Sequence, residues 1–365
     1  MTDSLSSARE ALGQYEAILG VPLTSSVSRE ERIKPIAGGL INETFLVEIP
    51  AKHGTARAVL QRVNPLFGID VHKDIFAVTQ HLSQKNLVTP VLLPTRTGDL
   101  AVHLGKQGVW RLLTYIDGVS FSHMTPKIAF PAGELVGSFH AAVADLDHSF
   151  HFVRKGAHDF PKHLQNLILA VDKARNEHPG AVPSEFGSVA DSILHFAAQI
   201  PVETPGKLRV CHGDLKVNNL RFDQQGRGIC LLDLDTLARL PLAFELGDAL
   251  RSYCNPRGED VSETQFDCTL LEAVLRGYST SAKSFITDEE VDFLITGTLR
   301  ISIQLAARFA ADVVNQNYFR YDPSRFPSRA IHNLIRAKGQ LSLAQSLLSQ
   351  QLLAETLVRS CFNAG

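Results

Sequence analysis

Residues 210–235 read VCHGDLKVNNLRFDQQGRGICLLDLD, and the interpretation of the whole chain turns on how this stretch folds. An apolar run of β character, Leu208-Arg209-Val210-Cys211, leads into the turn His212-Gly213-Asp214, and a polar segment continues to Asn219. A tight hairpin follows, with Asp223-Gln224-Gln225-Gly226 at its turn and the uninterrupted apolar run Ile229-Cys230-Leu231-Leu232 as its return strand. A strand that is apolar throughout is expected to be buried, so Asp233 emerges from a core at its end. Asp214, Asn219 and Asp233 then converge. One carboxylate to orient and deprotonate a hydroxyl, with an amide oxygen and a second carboxylate to hold a divalent cation against phosphate oxygens, is the set that phosphoryl transfer needs. Asp235, two residues on, shares the side of Asp233 if the strand continues, as a further metal ligand or as a partner of the first.

The spacing matches a kinase catalytic loop, in which the Asp of a His-x-Asp base precedes an Asn by five residues and a metal-binding Asp follows a strand later. Asp and Asn are also common in turns for conformational reasons. The three groups in order, in a strand–loop–hairpin–strand context, favour the chemical reading. Upstream, Ala37-Gly38-Gly39-Leu40-Ile41-Asn42 lies between two strand-like runs. Gly38 and Gly39 are either a plain turn or a backbone able to approach a phosphate closely, with Asn42 adding an amide donor. The β-type run 56–64 carries Arg62 where a small-lobe strand would present a cation to phosphates; the same residue also suits a solvated strand end, and Arg is no simple replacement for Lys. A helix is expected over 70–84, with Asp74 as the acid available to that cation. Strand-like runs at 91–94, 100–103 and 109–116 follow, the last leading to a hinge at 115–118, and Thr114 and Ile116 would offer backbone groups to an adenine ring.

Helical patterns take over from Phe130. His140 lies on an apolar stripe and reads as a satisfied core histidine. His148, His151 and His158 lack HxxxH or HExxH spacing, so no zinc site is expected. Asp248 and Arg251, three apart, are expected to pair on one helix face and brace the catalytic loop. Capping boxes at Ser262–Gln265 and Thr287–Glu290 mark two helix starts, and a last long helix is expected after Pro327. The expected fold class is therefore α+β, a two-lobed protein-kinase-like fold with a small antiparallel-sheet lobe and a larger, mostly helical one. Residues 1–114 form the nucleotide-binding lobe, 115–118 the hinge, and 119–365 the catalytic and acceptor-binding lobe.

Bulk properties fit this picture. The chain has 365 residues, 44% hydrophobic and 20% charged, with a formal charge of -2. That charge gives no general attraction for nucleic acid or an anionic membrane. The five cysteines are widely spaced with no CxxC pair, as expected of reduced, buried thiols. Residues 1–20 show no basic region followed by an apolar core, and the apolar run 294–314 contains Arg300 and Arg308. A cytoplasmic protein, monomeric or weakly dimeric, acting on a small molecule is the expectation.

HGDLKVNNL (212–220) with LLDLDT (231–236) resembles the aminoglycoside phosphotransferase and choline kinase family. GGLINETFLV (38–47), VLQRVN (59–64), WRLLTYIDG (110–118), FELGDALR (244–251) and ARFAADVV…YF (307–319) are similar to bacterial N-acetylhexosamine 1-kinases within it. The resemblance implies transfer of the ATP γ-phosphate to the anomeric hydroxyl of GlcNAc or GalNAc, with Mg²⁺ as cofactor. It makes Asp214 the base and Asn219 and Asp233 the Mg²⁺ ligands. Lys216 would sit between the γ-phosphate and the sugar, and Arg308 and Tyr318 would reach the sugar from the C-terminal helices. Homoserine, choline, a thiosugar or an aminoglycoside are the alternative acceptors. A kinase-fold protein that binds without turnover is the remaining alternative, and the complete Asp214, Asn219 and Asp233 set speaks against it.

Overall fold

The computed structural model describes residues 2–18, 20–22, 33–36, 42–51, 53–176, 182–201 and 206–363. The chain divides into two compact units, Met1–Asp117 with Asp145–Arg154, and Gly118–Ala144 with Lys155–Gly365.

The first unit is built on an antiparallel sheet. Its strands are β1 (Ile33–Pro35), β2 (Glu43–Ala51), β3 (Gly54–Val63), β4 (Leu92–Leu93), β5 (Val102–His103) and β6 (Val109–Thr114), in the order β1-β2-β3-β6-β4, with β5 also on β6. Alternation decides which side chains go inward, because successive residues of a strand face opposite ways. Phe45, Val47 and Ile49 of β2 and Ala58 and Leu60 of β3 form one buried face with Trp110 and Leu112 of β6. Helix α1 (Thr2–Leu12) adds Ala8, Ala11 and Leu12 to that core, followed by Tyr15 and Ile18. Helix α2 (Val71–Gln84) turns Ile75, Val78 and Leu82 inward together with the carboxylate of Asp74.

The second unit is mostly helical. It contains α3 (Pro126–Val143), α4 (Phe160–Asn176), α5 (Phe186–Ala197), α6 (Leu242–Tyr253), α7 (Cys268–Ala282), α8 (Asp288–Asp292), α9 (Leu294–Asn315), α10 (Arg329–Ser349) and α11 (Gln351–Asn363). Helix α9 is buried almost all round, with α4, α5, α6 and α10 packed on it, and most of its residues are apolar as such burial requires. No described helix is long and apolar enough to cross a membrane. Helices α6 and α9 touch backbone to backbone: a Cβ on Gly297 would lie 2.2 Å from the carbonyl oxygen of Ala243. Two antiparallel ribbons complete the unit, β7 (Leu208–Cys211) with β10 (Ala238–Pro241), and β8 (Leu220–Phe222) with β9 (Gly228–Leu231).

Four sequence expectations change. The Thr287–Glu290 capping box is present, but Ser262 starts no helix. Residue Asp267 caps α7 instead, accepting from the N–H groups of Thr269 and Leu270, since its carboxylate already stands at the entry to the turn. The helix that the Thr287–Glu290 box starts is broken at Phe293 into α8 and α9, and Gln350 divides the last long helix into α10 and α11. The return strand of the hairpin stops at Leu231: Asp233 is left-handed (φ 63, ψ 63), and Leu234–Thr236 form a tight 3₁₀ turn.

Candidate active site

The loop between β7 and β8 is assembled by hydrogen bonds that reach far along the chain. Its first two peptide groups are held by one side chain. Glu245 of α6 accepts from the backbone N–H of His212 (2.7 Å to Oε1) and of Gly213 (2.9 Å to Oε2), and is itself only 1% exposed. Burial alone would push the Glu245 carboxyl up, but the His140 hydrogen bond and charge and these donors hold it below the usual range. His140 Nε2 lies 3.2 Å from Glu245 Oε1 and Nδ1 lies 3.1 Å from the Tyr278 hydroxyl. Both ring nitrogens are used, so His140 is the satisfied core histidine its place on the stripe suggested. Residue Gly213 has φ +81, and a Cβ there would lie 2.2 Å from the Thr236 carbonyl oxygen. Only glycine fits this turn without displacing the chain.

His212 is buried and points away from the loop mouth, its Nε2 2.8 Å from the Leu232 carbonyl oxygen and its Nδ1 accepting from Asp214 N at 3.3 Å. The partners assign the neutral ring with its proton on Nε2. It anchors the loop to the hairpin; Leu232 N–H in turn donates to the Asn219 carbonyl oxygen at 2.7 Å. Thr236 closes the circle by donating its hydroxyl to the His212 carbonyl at 2.9 Å.

Within this frame Asp214 Oδ2 lies 2.6 Å from Lys216 Nζ and accepts from Asn219 Nδ2 at 3.0 Å. The same Asn219 amide nitrogen donates to the Asp214 carbonyl oxygen at 2.8 Å. Burial would raise the Asp214 carboxyl, yet the ammonium of Lys216 outweighs it and keeps Asp214 ionised below the usual range. Lys216 is shifted the other way: burial opposes its charge, but Asp214 and then Asp233 raise it well above an ordinary lysine. Because Asn219 commits its NH₂ to Asp214, its Oδ1 turns away from that carboxylate. Amide and carboxylate oxygens are hard donors of the kind Mg²⁺ takes, so the donor types of Asn219 and Asp233 fit such an ion. Asp235 is 1% exposed and lies within the 3₁₀ turn rather than on a continued strand beside Asp233.

Helix α6 adds two ion pairs and one more hold on the loop. Arg251 binds Asp248 at 2.8 Å and also Glu259, and Ser252 Oγ accepts from Val217 N at 3.1 Å. The expected Asp248–Arg251 pair is therefore present, while Glu245, which the sequence reading passed over, holds the loop directly.

Arg308 and Tyr318 form a second group in the same unit, the guanidinium 5.2 Å from the Tyr318 ring centre and 5.4 Å from that of Phe319. Their turn is set by Asp312, whose carboxylate accepts from the N–H groups of Asn317 (2.9 Å), Tyr318 (3.0 Å) and Phe319 (2.9 Å), and from Asn333 Nδ2 at 2.9 Å.

In the first unit, Gly38 and Gly39 lie outside the described residues. Asn42 is buried, with its Oδ1 accepting from Asn64 N at 2.9 Å. Arg62 Nη1 lies 3.7 Å from Glu43, its cross-strand neighbour, and Asp74 is engaged by His148, His151 and Phe152 rather than by this cation. The Thr114 N–H is taken by the Val91 carbonyl oxygen at 2.9 Å, and half-buried Ile116 follows it.

An antiparallel sheet unit, a helical unit and a His-Gly-Asp loop with Asn219 and Asp233 define a protein-kinase-like phosphotransferase acting on hydroxyl acceptors. The chain belongs to the phosphotransferase enzyme family (APH), whose model matches residues 32–286. Solved structures share the fold at low identity. A choline kinase from Cryptosporidium parvum Iowa II is 16% identical with a TM-score of 0.60, covering 98% of this chain and 99% of its own. An aminoglycoside phosphotransferase from Alicyclobacillus acidocaldarius is 14% identical with a TM-score of 0.57, covering 97% and 95%. An amicoumacin kinase in complex with AMP-PNP, Ca²⁺ and Ami is 12% identical with a TM-score of 0.56, covering 86% and 88%. The protein is a small-molecule kinase of the aminoglycoside phosphotransferase and choline kinase type.

Proposed function

We propose that this kinase transfers the γ-phosphate of ATP to the anomeric hydroxyl of an N-acetylhexosamine, GlcNAc or GalNAc. The observation that carries the reading is the Asp214 carboxylate, kept ionised and fixed between Lys216 Nζ at 2.6 Å and Asn219 Nδ2 at 3.0 Å. An ionised, immobile carboxylate can orient an acceptor hydroxyl and take its proton as the O–P bond forms. Lys216 is charged throughout the working range and would stabilise negative charge on the phosphoryl group. Asn219 and Asp233, with Asp235 as a further oxygen donor, would hold Mg²⁺. That ion, when bound, neutralises phosphate oxygens.

On this reading residues 1–114 carry the nucleotide, with Gly38, Gly39, Asn42 and Arg62 on its phosphates and Thr114 and Ile116 on the base. Residues 115–118 are the hinge, and 119–365 carry the catalytic loop and the acceptor site. The amicoumacin kinase with AMP-PNP and Ca²⁺ supports a nucleoside triphosphate with a divalent cation as donor. Arg308 and Tyr318 are assigned to the sugar, a neutral acceptor rich in hydroxyls. A quaternary ammonium acceptor calls for open aromatic faces, and Arg308 already lies over Tyr318 and Phe319, which disfavours choline. The test is ATP consumption by purified protein with Mg²⁺ against GlcNAc, GalNAc, glucose, galactose, choline, homoserine and kanamycin. Turnover with GlcNAc or GalNAc is the expected result; turnover with another compound alone would overturn the hexosamine assignment.

A further inference from the structure

A second cluster of chemistry-bearing groups lies in the first unit. Asp74 on α2 is 1% exposed and faces two imidazoles of the segment Asp145–Arg154. His148 Nε2 is 2.8 Å and His151 Nδ1 3.1 Å from the same oxygen, Asp74 Oδ1, and His151 N lies 2.9 Å from it. The other oxygen, Oδ2, accepts from Phe152 N at 2.8 Å. A carboxylate oxygen has two lone pairs, and here three nitrogens converge on one. Backbone N–H groups alone suffice to orient the carboxylate, so the two rings crowd a position where they can act as lone-pair donors instead.

We propose that Asp74, His148 and His151 bind one divalent transition-metal ion, with Zn²⁺ the best match. Their ligand atoms all lie within 4.8 Å of one another. Zinc bonds of ~2.0–2.2 Å in a tetrahedron put neighbouring ligand atoms ~3.3 Å apart, so the observed 2.8 and 3.1 Å separations need to widen only slightly. Two imidazoles and one carboxylate leave a fourth position for water. The side chains grade from core to surface, at 1% exposure for Asp74, 14% for His148 and 47% for His151, which gives an ion a route in. Two nitrogen ligands favour zinc over Mg²⁺ or Ca²⁺, which take oxygen, so the site is chemically separate from the one assigned to the nucleotide's cation. The ion would staple the segment Asp145–Arg154 to α2. Spacing along the chain offers no hint of it, because one ligand lies at position 74 and the others at 148 and 151.

The other such cluster among the described residues, His140, Cys211 and Glu245, has no such opening. Both Glu245 oxygens hold backbone N–H groups, both His140 nitrogens are paired, and burial pushes the Cys211 thiol far up, against the thiolate a metal needs.

Full-length protein stripped with EDTA and desalted, without nucleotide, should be titrated with Zn²⁺ against a chromophoric chelator and separately with Co²⁺ by visible absorption. The wild type is expected to take up a single equivalent of Zn²⁺ that excess Mg²⁺ does not displace, to melt at higher temperature with it, and to give the intense visible bands of low-coordinate Co²⁺. The double variant His148→Gln/His151→Gln, checked for folding by circular dichroism, is expected to lose about 100-fold or more in Zn²⁺ affinity and to show no metal-dependent melting shift. Equal Zn²⁺ affinity in the two proteins would overturn the proposal. If the variant does not fold, the wild-type Co²⁺ spectrum decides alone, and the weak bands of an all-oxygen octahedral ion would overturn it.

Discussion

Glu245 in the helical unit and Asp74 in the sheet unit use one device on two loops. Each buried carboxylate binds two consecutive backbone N–H groups, those of His212 and Gly213 in one case and those of His151 and Phe152 in the other. Each also has histidine beside it, His140 for Glu245 and His148 with His151 for Asp74. What differs is the far side of the histidine. His140 is backed by Tyr278 and is buried, so Glu245 is closed off from solvent and its two oxygens hold the loop that carries Asp214. His151 is half open to solvent, so the Asp74 arrangement is closed towards the chain and open towards a ligand. The same chemistry gives a rigid mount when enclosed and a receptive site when one wall is left out.

The comparison can be broken by removing what each carboxylate holds. The largest effect is expected at the residue the Glu245 mount exists to place: Asp214→Asn should lower kcat by about 10²–10⁴-fold while ATP binding by calorimetry is retained. Next comes the mount itself. Glu245→Gln keeps the shape but sets an NH₂ against a backbone N–H and is expected to lower kcat by ~10–100-fold through misplacement of Asp214, with acceptor KM nearly unchanged. Asp74→Asn sharpens the contrast. It should cost about 2–3 kcal/mol for the lost charged hydrogen bonds, read as a lower melting temperature, with kcat nearly unchanged. The smallest effect is expected at Arg308→Ala, where loss of one interaction worth ~1.4 kcal/mol raises acceptor KM about tenfold and spares kcat.

The pH dependence follows from the same ion pair. Asp214 is held below the ordinary carboxylate range, so its contribution to stability is present above roughly pH 4 and is lost as pH falls through its lowered value. Lys216 is raised, so its contribution is complete below roughly pH 10 and is lost only as pH rises through that raised value. A rate profile between those limits should show no limb from either group.

Much of the loop that carries Asp214 is legible in sequence because its signals are local. The apolar runs, the glycine at 213 and the Asp214–Asn219 interval all sit within one short stretch, and the structure forms the expected strand, loop and hairpin there. Sheet strands and long helices are legible for the same reason, as alternation in β2 and β3 and as an apolar stripe in α10. The carboxylates that hold the loops are not. Glu245 acts on residues more than thirty positions away, Asp74 on residues more than seventy away, and no periodicity records such a partner. In FELGD the only trace is an acid among apolar neighbours, a charge that must find partners once buried. Asp312 is hidden in the same manner within the apolar face of α9. The Ser262 pattern misled for the opposite reason, being locally complete but competing with Asp267 a few residues on.

The most direct measurement of the central claim is the phosphorus NMR spectrum of the product formed from GlcNAc, ATP and Mg²⁺. A phosphorus resonance coupled to the anomeric proton, marking a sugar 1-phosphate, is the predicted result. Phosphate on another hydroxyl, or ATP intact after long incubation with GlcNAc and GalNAc alike, would contradict it.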